Sequence, residues 1–273
     1  MDDQEWSRLH YNANLNIEVF QACCLRRSFP VHMHDYYVVC LIDKGRQTFS
    51  HRGERYATPA GGIILLNPGD DHTGEPADER GFEYRAIYPT GEHMREAAGE
   101  LSGRHRGAPR FAGVRADDGV MAQRVRQLHA ALMADAEPLA CEGLFIQALT
   151  DILTRTAGLA GPPPAGLERA AVAKARRYIE DNWSQKITLG ELADHVGLSR
   201  YYFLRVFCGE TGMPPHAYQD SVRLVHARRL LKEGLALKAV AAESGFSDQS
   251  HFANRFRRLV GVTPGCYARE RLQ

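Results

Sequence analysis

The last third of the chain contains an internal repeat, which constrains the fold more than any other feature of the sequence. Gly197 and Phe203 in the first copy correspond to Gly245 and Phe252 in the second, at offsets of 48 and 49 residues. Apolar residues recur with a helical period on both sides of each glycine, and glycine readily adopts the left-handed conformation of a tight turn. The repeat therefore predicts two units of helix, turn and helix.

The spacing within each copy is typical of a helix-turn-helix. Ala193 and Ala241 are small where two crossing helices would touch, and Ser199 and Ser247 are placed to cap the second helix of each unit. The face of that helix opposite its phenylalanines carries residue types that contact bases and phosphates. They are Arg200, Tyr201, Leu204 and Arg205 in the first unit, and Gln249, Ser250, Asn254, Arg257 and Arg258 in the second. The alternative is a helical hairpin repeat that binds proteins and leaves this face solvated.

Charge is distributed unevenly along the chain. Residues 1–160 carry 17 Lys and Arg against 22 Asp and Glu, whereas residues 161–273 carry 17 against 11. The second part therefore attracts phosphate and the first part repels it. The change falls near residues 158–167, where three consecutive prolines between glycines cannot continue a helix. We expect a domain at 1–157, a linker at 158–167 and a DNA-binding domain at 168–273.

Residues from about 168 to 270 resemble the DNA-binding domain of the AraC/XylS family of bacterial transcription regulators. The resemblance rests on the segment Gly245–Phe252, on the motif Arg223-Leu-x-x-Ala227-x-x-Leu-Leu231 and on Gly261-Val-Thr-Pro264. It implies that two helix-turn-helix units enter successive major-groove segments of double-stranded DNA. Carried over position by position, the base contacts of the family fall on Tyr201, Leu204, Arg205, Ser250 and Asn254. RNA polymerase is a further candidate partner.

The first half of the chain has a different pattern. Short apolar runs separated by Gly, Pro and Asp extend from about residue 15 to 90, which predicts antiparallel strands in a small barrel or sandwich. A helical period from about 117 to 156 predicts two amphipathic helices, and residues 91–116 are expected to form a loop or a frayed helix. The segment 29–88 resembles the cupin-type sensory domain found in many members of this family.

The expected fold class is therefore α+β. A cupin-like antiparallel β-barrel with appended helices is followed by an all-α domain with two helix-turn-helix units. The apolar stripe on residues 120–153 is expected to pair subunits in a homodimer, as the family resemblance suggests. The alternative is that the two helices simply cover the barrel.

Three histidines are predicted to converge inside the barrel. His32 and His34 share one face of a strand that continues through Tyr36, and His72 follows the turn at Pro68-Gly69. We expect His32, His34, Tyr36 and His72 to bind a small-molecule effector. His32, His34 and His72 are also candidate ligands of a divalent metal. Val38 stands where metal-binding cupins have a glutamate ligand, which favours the effector over the metal.

These patterns predict a sequence-specific transcription regulator that responds to an effector in the barrel. No nucleophile lies beside a base, so we do not expect an enzyme. The alternatives are a constitutive DNA binder whose barrel only dimerises and a metal-dependent cupin enzyme. The chain has no apolar run of about 18 residues and no signal-like start, which predicts a cytoplasmic protein without a membrane partner.

Overall fold

The structure is a computed structural model that describes residues 5–103, 107–159 and 168–272, without the side chains of residues 270–272. The described chain forms two compact units. The first contains residues 5–136 and 144–159, and the second contains residues 137–143 and 168–272. Within the predicted linker, residues 160–167 lie outside the described residues. The fold class is α+β, as the sequence predicts.

The first unit contains a nine-stranded antiparallel sheet. Its strands are β1 (Trp6–Asn12), β2 (Ile17–Cys24), β3 (Phe29–His32), β4 (Val38–His51), β5 (Glu54–Pro59), β6 (Ile63–Leu66), β7 (His72–Pro76), β8 (Phe82–Tyr88) and β9 (Arg115–Ala116). The order β1-β2-β8-β4-β6-β9 describes most of the sheet, while β5 and β7 also pair with β4, and β3 pairs with β7. The long strand β4 therefore belongs to both halves of the sheet.

Strand β4 bends at its centre rather than ending there. The sequence predicts that this strand ends at Asp43-Lys-Gly45, but the strand continues to His51. The pairing of β4 with β8 shifts register between Ile42 and Lys44, which marks a bulge. Gly45 has a φ of 72°, and a Cβ there would lie 2.1 Å from the Gly81 carbonyl oxygen. The glycine thus permits a bend that carries the second half of β4 into the other part of the sheet.

Three helices follow the sheet in the chain, namely α1 (Gly91–Ser102), α2 (Gly119–Met133) and α3 (Pro138–Ala157). The two predicted amphipathic helices are confirmed as α2 and α3. The expectation of a loop or frayed helix is wrong for residues 91–102, because Thr90 and His93 form a reciprocal capping box that begins α1.

The apolar stripe of α2 is buried within the first unit. Met121, Val125 and Leu128 are fully buried, and α2 packs on strands β2, β4 and β8. The alternative, that this helix covers the barrel, is therefore correct for α2. The stripe offers no exposed apolar surface for a second subunit there, apart from the half-exposed Val120.

The second unit contains helices α4 (Arg169–Asp181), α5 (Leu189–Val196), α6 (Arg200–Thr211), α7 (Pro215–Lys232), α8 (Leu237–Glu243), α9 (Gln249–Val260) and α10 (Pro264–Leu272). A core cluster that includes Leu224, Leu231, Phe252 and Phe256 joins α7 and α9. In the part of the chain that the structure describes, no helix is long and apolar enough to cross a membrane.

Candidate functional site

The first helix-turn-helix unit consists of α5 and α6. Helix α5 begins at a capping box in which the Glu191 carboxylate accepts the Thr188 backbone N–H at 2.7 Å, and it ends at Gly197, which has a φ of 73°. Helix α6 begins after Ser199, whose hydroxyl accepts the Tyr202 backbone N–H at 3.2 Å. The predicted turn and the predicted serine cap are both confirmed in this unit.

The second unit consists of α8 and α9 and differs at its cap. Gly245 has a φ of 74°, and a Cβ there would lie 2.2 Å from the Ser184 carbonyl oxygen. The prediction that Ser247 caps the second helix is wrong, because the Asp248 carboxylate accepts the His251 backbone N–H at 2.7 Å. The extra residue in this copy places the carboxylate at the cap position, where it also favours the positive end of the helix dipole.

The predicted DNA-contacting side chains of α9 are all exposed. They are Gln249, Ser250, Asn254, Arg257 and Arg258. Phe252 and Phe256, on the opposite face, are fully buried. The helix therefore presents a polar and basic face to solvent, in the arrangement that a major-groove reader requires.

Helix α6 is different, because it buries side chains on more than one face. Arg200 is exposed and Arg205 is half-buried, but Tyr201 and Leu204 are only 9% and 3% exposed. The expectation that these last two side chains face solvent is wrong for this structure. Both are largely apolar, so their burial is favourable.

Arg205 keeps hydrogen-bonding capacity. Its guanidinium lies over the Tyr202 ring, 5.0 Å from the ring centroid. Its Nε atom has no hydrogen-bond partner among the residues that the structure describes. A planar guanidinium held on an aromatic ring is oriented before it meets a ligand.

A buried ionic cluster supports the second unit. Arg223 on α7 is fully buried, and its Nη1 donates to both carboxylate oxygens of Glu137 at 2.7 and 2.8 Å. Its Nε and Nη2 donate to the carbonyl oxygens of Trp183 and Gln185. Arg223 belongs to the motif that carries the family resemblance, but nothing in the sequence links it to Glu137.

In the first unit, the three predicted histidines converge. The ring centroids of His32 and His72 are 4.3 Å apart, those of His32 and His34 are 4.8 Å apart, and those of His34 and His72 are 5.2 Å apart. His32 is the antiparallel register partner of His72 in strands β3 and β7. The His34 carbonyl oxygen accepts the Gly69 backbone N–H at 2.8 Å, which holds this segment against the Pro68-Gly69 turn.

Tyr36 lies behind His34 rather than in the cavity wall. Its ring stacks on His34 at 4.8 Å and contacts Tyr88 at 5.0 Å. His34 and Tyr36 also lie between strands rather than in the predicted strand, because β4 begins at Val38. The predicted alternation nevertheless holds, since Val31 and Met33 are exposed while the histidines between and after them are half-buried.

Two of the histidines have a defined hydrogen-bonding arrangement. Nδ1 of His32 lies 2.8 Å from the Pro30 carbonyl oxygen, and Nδ1 of His72 lies 3.1 Å from the Asp70 carbonyl oxygen. An Nδ1–H that donates to a carbonyl leaves a lone pair on Nε2. Burial lowers the pKa of His72 to about 4 and also lowers the pKa of His34. Both rings are therefore neutral at pH 7.

The histidines line a half-open cavity of about 160 Å³. Most of its wall is apolar, and the lining side chains include Phe20, Phe29, Val38, Cys40, Phe49, Ile64, Leu66, Tyr84, Ala86 and Tyr88. Gln47 also lines the cavity, and its Oε1 is buried without a hydrogen-bond partner among the described residues. Gln47 was not predicted from the sequence, because the strand was expected to end at Gly45. Continuing the period of two past the bulge would have placed Gln47 on the same face as Phe49.

A barrel with an internal cavity and a separate unit with two helix-turn-helix motifs define a DNA-binding regulator with its own ligand-binding domain. Residues 14–149 match the family described as the AraC-like ligand binding domain, and residues 192–270 match a helix-turn-helix domain family. The chain belongs to the AraC family of transcriptional regulators.

Two sequence relatives that span most of the chain agree with this assignment. The HTH-type transcriptional regulator YbfI of Bacillus subtilis (strain 168) is 29% identical over 247 residues, 90% of each chain. The HTH-type transcriptional activator RhaS of Pectobacterium atrosepticum is 27% identical and covers 87% of this chain and 86% of its own. The crystal structure of apo ToxT from Vibrio cholerae is 12% identical and covers 95% of this chain and 98% of its own, with a TM-score of 0.42. YbfI and RhaS are named as transcription regulators, and the family to which the chain belongs is a non-enzymatic class.

Proposed function

We propose that α9 and α6 read two adjacent major-groove segments of DNA, and that an effector bound beside the histidines of the barrel cavity changes the DNA affinity. The exposed polar face of α9 is the main observation that supports DNA reading by this helix. On this face Ser250 and Asn254 contact bases, while Arg257 and Arg258 contact phosphates. In the first unit Arg205 is the strongest base-contact candidate, because its forked guanidinium can bond guanine O6 and N7 together.

The base-reading assignment is tested with a duplex selected by the protein from a random library. Asn254→Ala and Arg205→Ala should each weaken binding by roughly 1–3 kcal/mol on the selected duplex and by much less on a scrambled duplex. Gln123→Leu, on the exposed side of α2 in the first unit, serves as the control. Equal losses on both duplexes would contradict base reading and indicate backbone positioning.

The effector part of the proposal is carried by the convergence of His32, His34 and His72 on one cavity. Tyr36 supports the site by stacking on His34. Compounds that raise the melting temperature of wild type but not of His72→Ala identify ligands of this cavity. The DNA affinity is then measured with and without such a ligand, and an unchanged affinity would favour the constitutive binder.

We also propose that the protein acts as a homodimer in the cytoplasm, with RNA polymerase as a further partner. The buried stripe of α2 does not supply the interface, so the dimer rests on the family resemblance alone. Sedimentation at micromolar concentration measures it directly. A monomer with and without DNA would contradict the homodimer.

A second candidate function of the cavity is the binding of a divalent metal. Ligand atoms of His32, His34 and His72 all lie within 4.8 Å of one another. Ligand atoms around tetrahedral zinc are about 3.3 Å apart, since Zn–N distances are about 2.0–2.1 Å. Modest side-chain rotation would therefore close the site, and the carbonyl partners of His32 and His72 leave Nε2 of each ring for the metal.

Zinc titration by calorimetry tests this candidate. Wild type should bind one equivalent, and His72→Ala should bind at least tenfold more weakly, because a three-ligand site loses a third of its donors. His51→Ala is the matched control, since His51 neighbours His72 in the sheet but does not belong to the cluster. Equal binding by His72→Ala and wild type would contradict a metal site at these histidines.

A further inference from the structure

The walls of the barrel cavity are formed by apolar side chains, uncharged polar side chains and the three histidines, among the residues that the structure describes. None of the lining side chains is Asp, Glu, Lys or Arg. The wall is instead dominated by aromatic rings, among them Phe20, Phe29 and Phe49, with aliphatic side chains between them. Burial of a carboxylate or an ammonium group without a charged partner is strongly unfavourable. Such a wall therefore selects an uncharged ligand and offers it ring faces and edges for packing.

The size of the cavity limits the ligand further. Its volume is about 160 Å³. An engineered apolar cavity of about 150 Å³ in another protein accommodates benzene. A ligand of one six-membered ring with a small substituent therefore fills this space.

One buried polar atom in the wall lacks a hydrogen-bond partner among the described residues. The Oε1 atom of Gln47 is buried and has no hydrogen-bond partner among the described residues. An unpaired buried acceptor is unfavourable, and a ligand that supplies a donor removes this cost on binding. Gln47 lies on β4 beyond the bulge, so its backbone is held by pairing with both β5 and β7. The amide is therefore carried by a rigid element of the sheet.

We propose that the effector is an uncharged compound of one ring that packs against the aromatic wall and donates a hydrogen bond to Gln47. A simple phenol has this chemistry. The proposal rests on the proposed function, namely that the cavity binds the effector. It adds the chemical class of the ligand and a residue that determines specificity.

Calorimetric titration of the full chain in the presence of EDTA tests the class with three probes of similar size. Phenol is uncharged and has a donor, benzene is uncharged and lacks one, and benzoate is charged. Phenol should bind at least tenfold more tightly than either of the others. If benzoate binds as tightly as phenol, the claim that the ligand is uncharged is wrong. If benzene binds as tightly as phenol, the claim that the ligand donates a hydrogen bond to Gln47 is wrong.

Gln47→Leu tests the assigned residue. It should weaken phenol binding about fivefold to tenfold and leave benzene binding unchanged or stronger, because only phenol uses the amide. Gln123→Leu, an exposed glutamine on α2, is the matched control and should bind both probes as wild type does. If Gln47→Leu fails to fold, the side-chain amide resonance of Gln47 in wild type replaces it and should shift on addition of phenol but not of benzene. An unshifted resonance would overturn the assignment.

Different results would refute the ligand class and the effector role of the cavity. Absence of binding by all three probes would overturn the ligand class. A charged or larger compound that binds wild type but not His72→Ala, and that changes DNA affinity, would also overturn the class while it supports the effector site. Phenol binding that depends on Gln47, without any cavity ligand that changes DNA affinity, would support the class and refute the effector role.

Discussion

Replacement of Glu137 by glutamine should destabilise the second unit strongly. Arg223 is fully buried, and in wild type its guanidinium meets both oxygens of the Glu137 carboxylate. The substitution leaves a similar shape but removes the charge that balances the guanidinium. Breaking a buried ion pair by removing one partner costs about 3–5 kcal/mol. The Glu137 side chain is 16% exposed, and two backbone carbonyls still accept from Arg223, so we expect about 3 kcal/mol.

The assay is equilibrium unfolding in urea, followed by a probe of the second unit such as the fluorescence of Trp183. A surface pair in the same unit provides the matched control. Arg229 and Glu233 are an i, i+4 pair whose side chains are 66% and 53% exposed, so Glu233→Gln should cost less than about 0.5 kcal/mol. The comparison separates the effect of burial from the loss of one negative charge.

A double variant distinguishes charge from packing. Glu137→Leu combined with Arg223→Met replaces the pair by apolar groups, and it should recover most of the stability that Glu137→Gln loses. A loss of less than 1 kcal/mol in Glu137→Gln would refute the reasoning. A double variant no more stable than Glu137→Gln would show that the hydrogen bonds to Trp183 and Gln185, rather than the charge balance, determine the stability.

The remaining predictions concern DNA affinity, the start of the sheet and pH. Arg257→Ala should weaken binding to selected and scrambled duplexes alike and reduce the salt slope by about one unit, as measured by titration at several salt concentrations; loss on the selected duplex alone would contradict a phosphate contact. Glu5→Ala should accelerate amide hydrogen exchange at Leu25, Arg26 and Arg27, because one oxygen of Glu5 accepts all three N–H groups at 2.7–2.9 Å. Unchanged exchange rates would contradict a protective role of these hydrogen bonds. Burial lowers the pKa of His72 from 6.5 to about 4, so the unfolded chain binds the extra proton between these values. The contribution of His72 to stability should therefore be complete above pH 6.5 and fall by up to about 1.4 kcal/mol per pH unit toward pH 4. His72→Asn should reduce the slope of stability against pH in thermal unfolding at stepped pH without abolishing it, because burial also lowers the pKa values of His129 and His216 to about 4. A slope equal to that of wild type would contradict the assignment to His72.

Local patterns in the sequence account for much of the fold. Gly197 and Gly245 adopt the left-handed conformation because the turn between two packed helices requires it, and the residues around them already specify that turn. The alternation of His32 and His34 with exposed residues likewise follows from extended backbone. Signals of this kind lie within a few residues of the feature they predict.

The features that the sequence did not reveal depend on long-range contacts. The bulge in β4 needs Gly45 to approach the backbone of Gly81, 36 positions further along the chain. Without that contact, Asp43-Lys-Gly45 looks like the end of a strand, and Gln47 falls outside the predicted strand. The partner of Arg223 is similarly distant in sequence, at Glu137. Local periodicity in the sequence predicts neither the approach of Gly45 to Gly81 nor the pairing of Arg223 with Glu137.

The burial of Tyr201 and Leu204 predicts that the two helix-turn-helix units differ in DNA recognition. The repeat makes α6 and α9 look equivalent, but only α9 exposes its whole predicted contact set. In α6 the exposed or half-exposed members are Arg200 and Arg205, and both are long side chains that reach beyond the helix surface. The two units are therefore expected to contribute unequally to sequence discrimination. The second unit should divide its discrimination among several polar contacts, whereas discrimination by the first should depend mainly on Arg205. A single substitution on α9, such as Asn254→Ala, should accordingly remove only part of the base preference of the second unit, while Arg205→Ala alone should remove most of the base preference in the other half of the site.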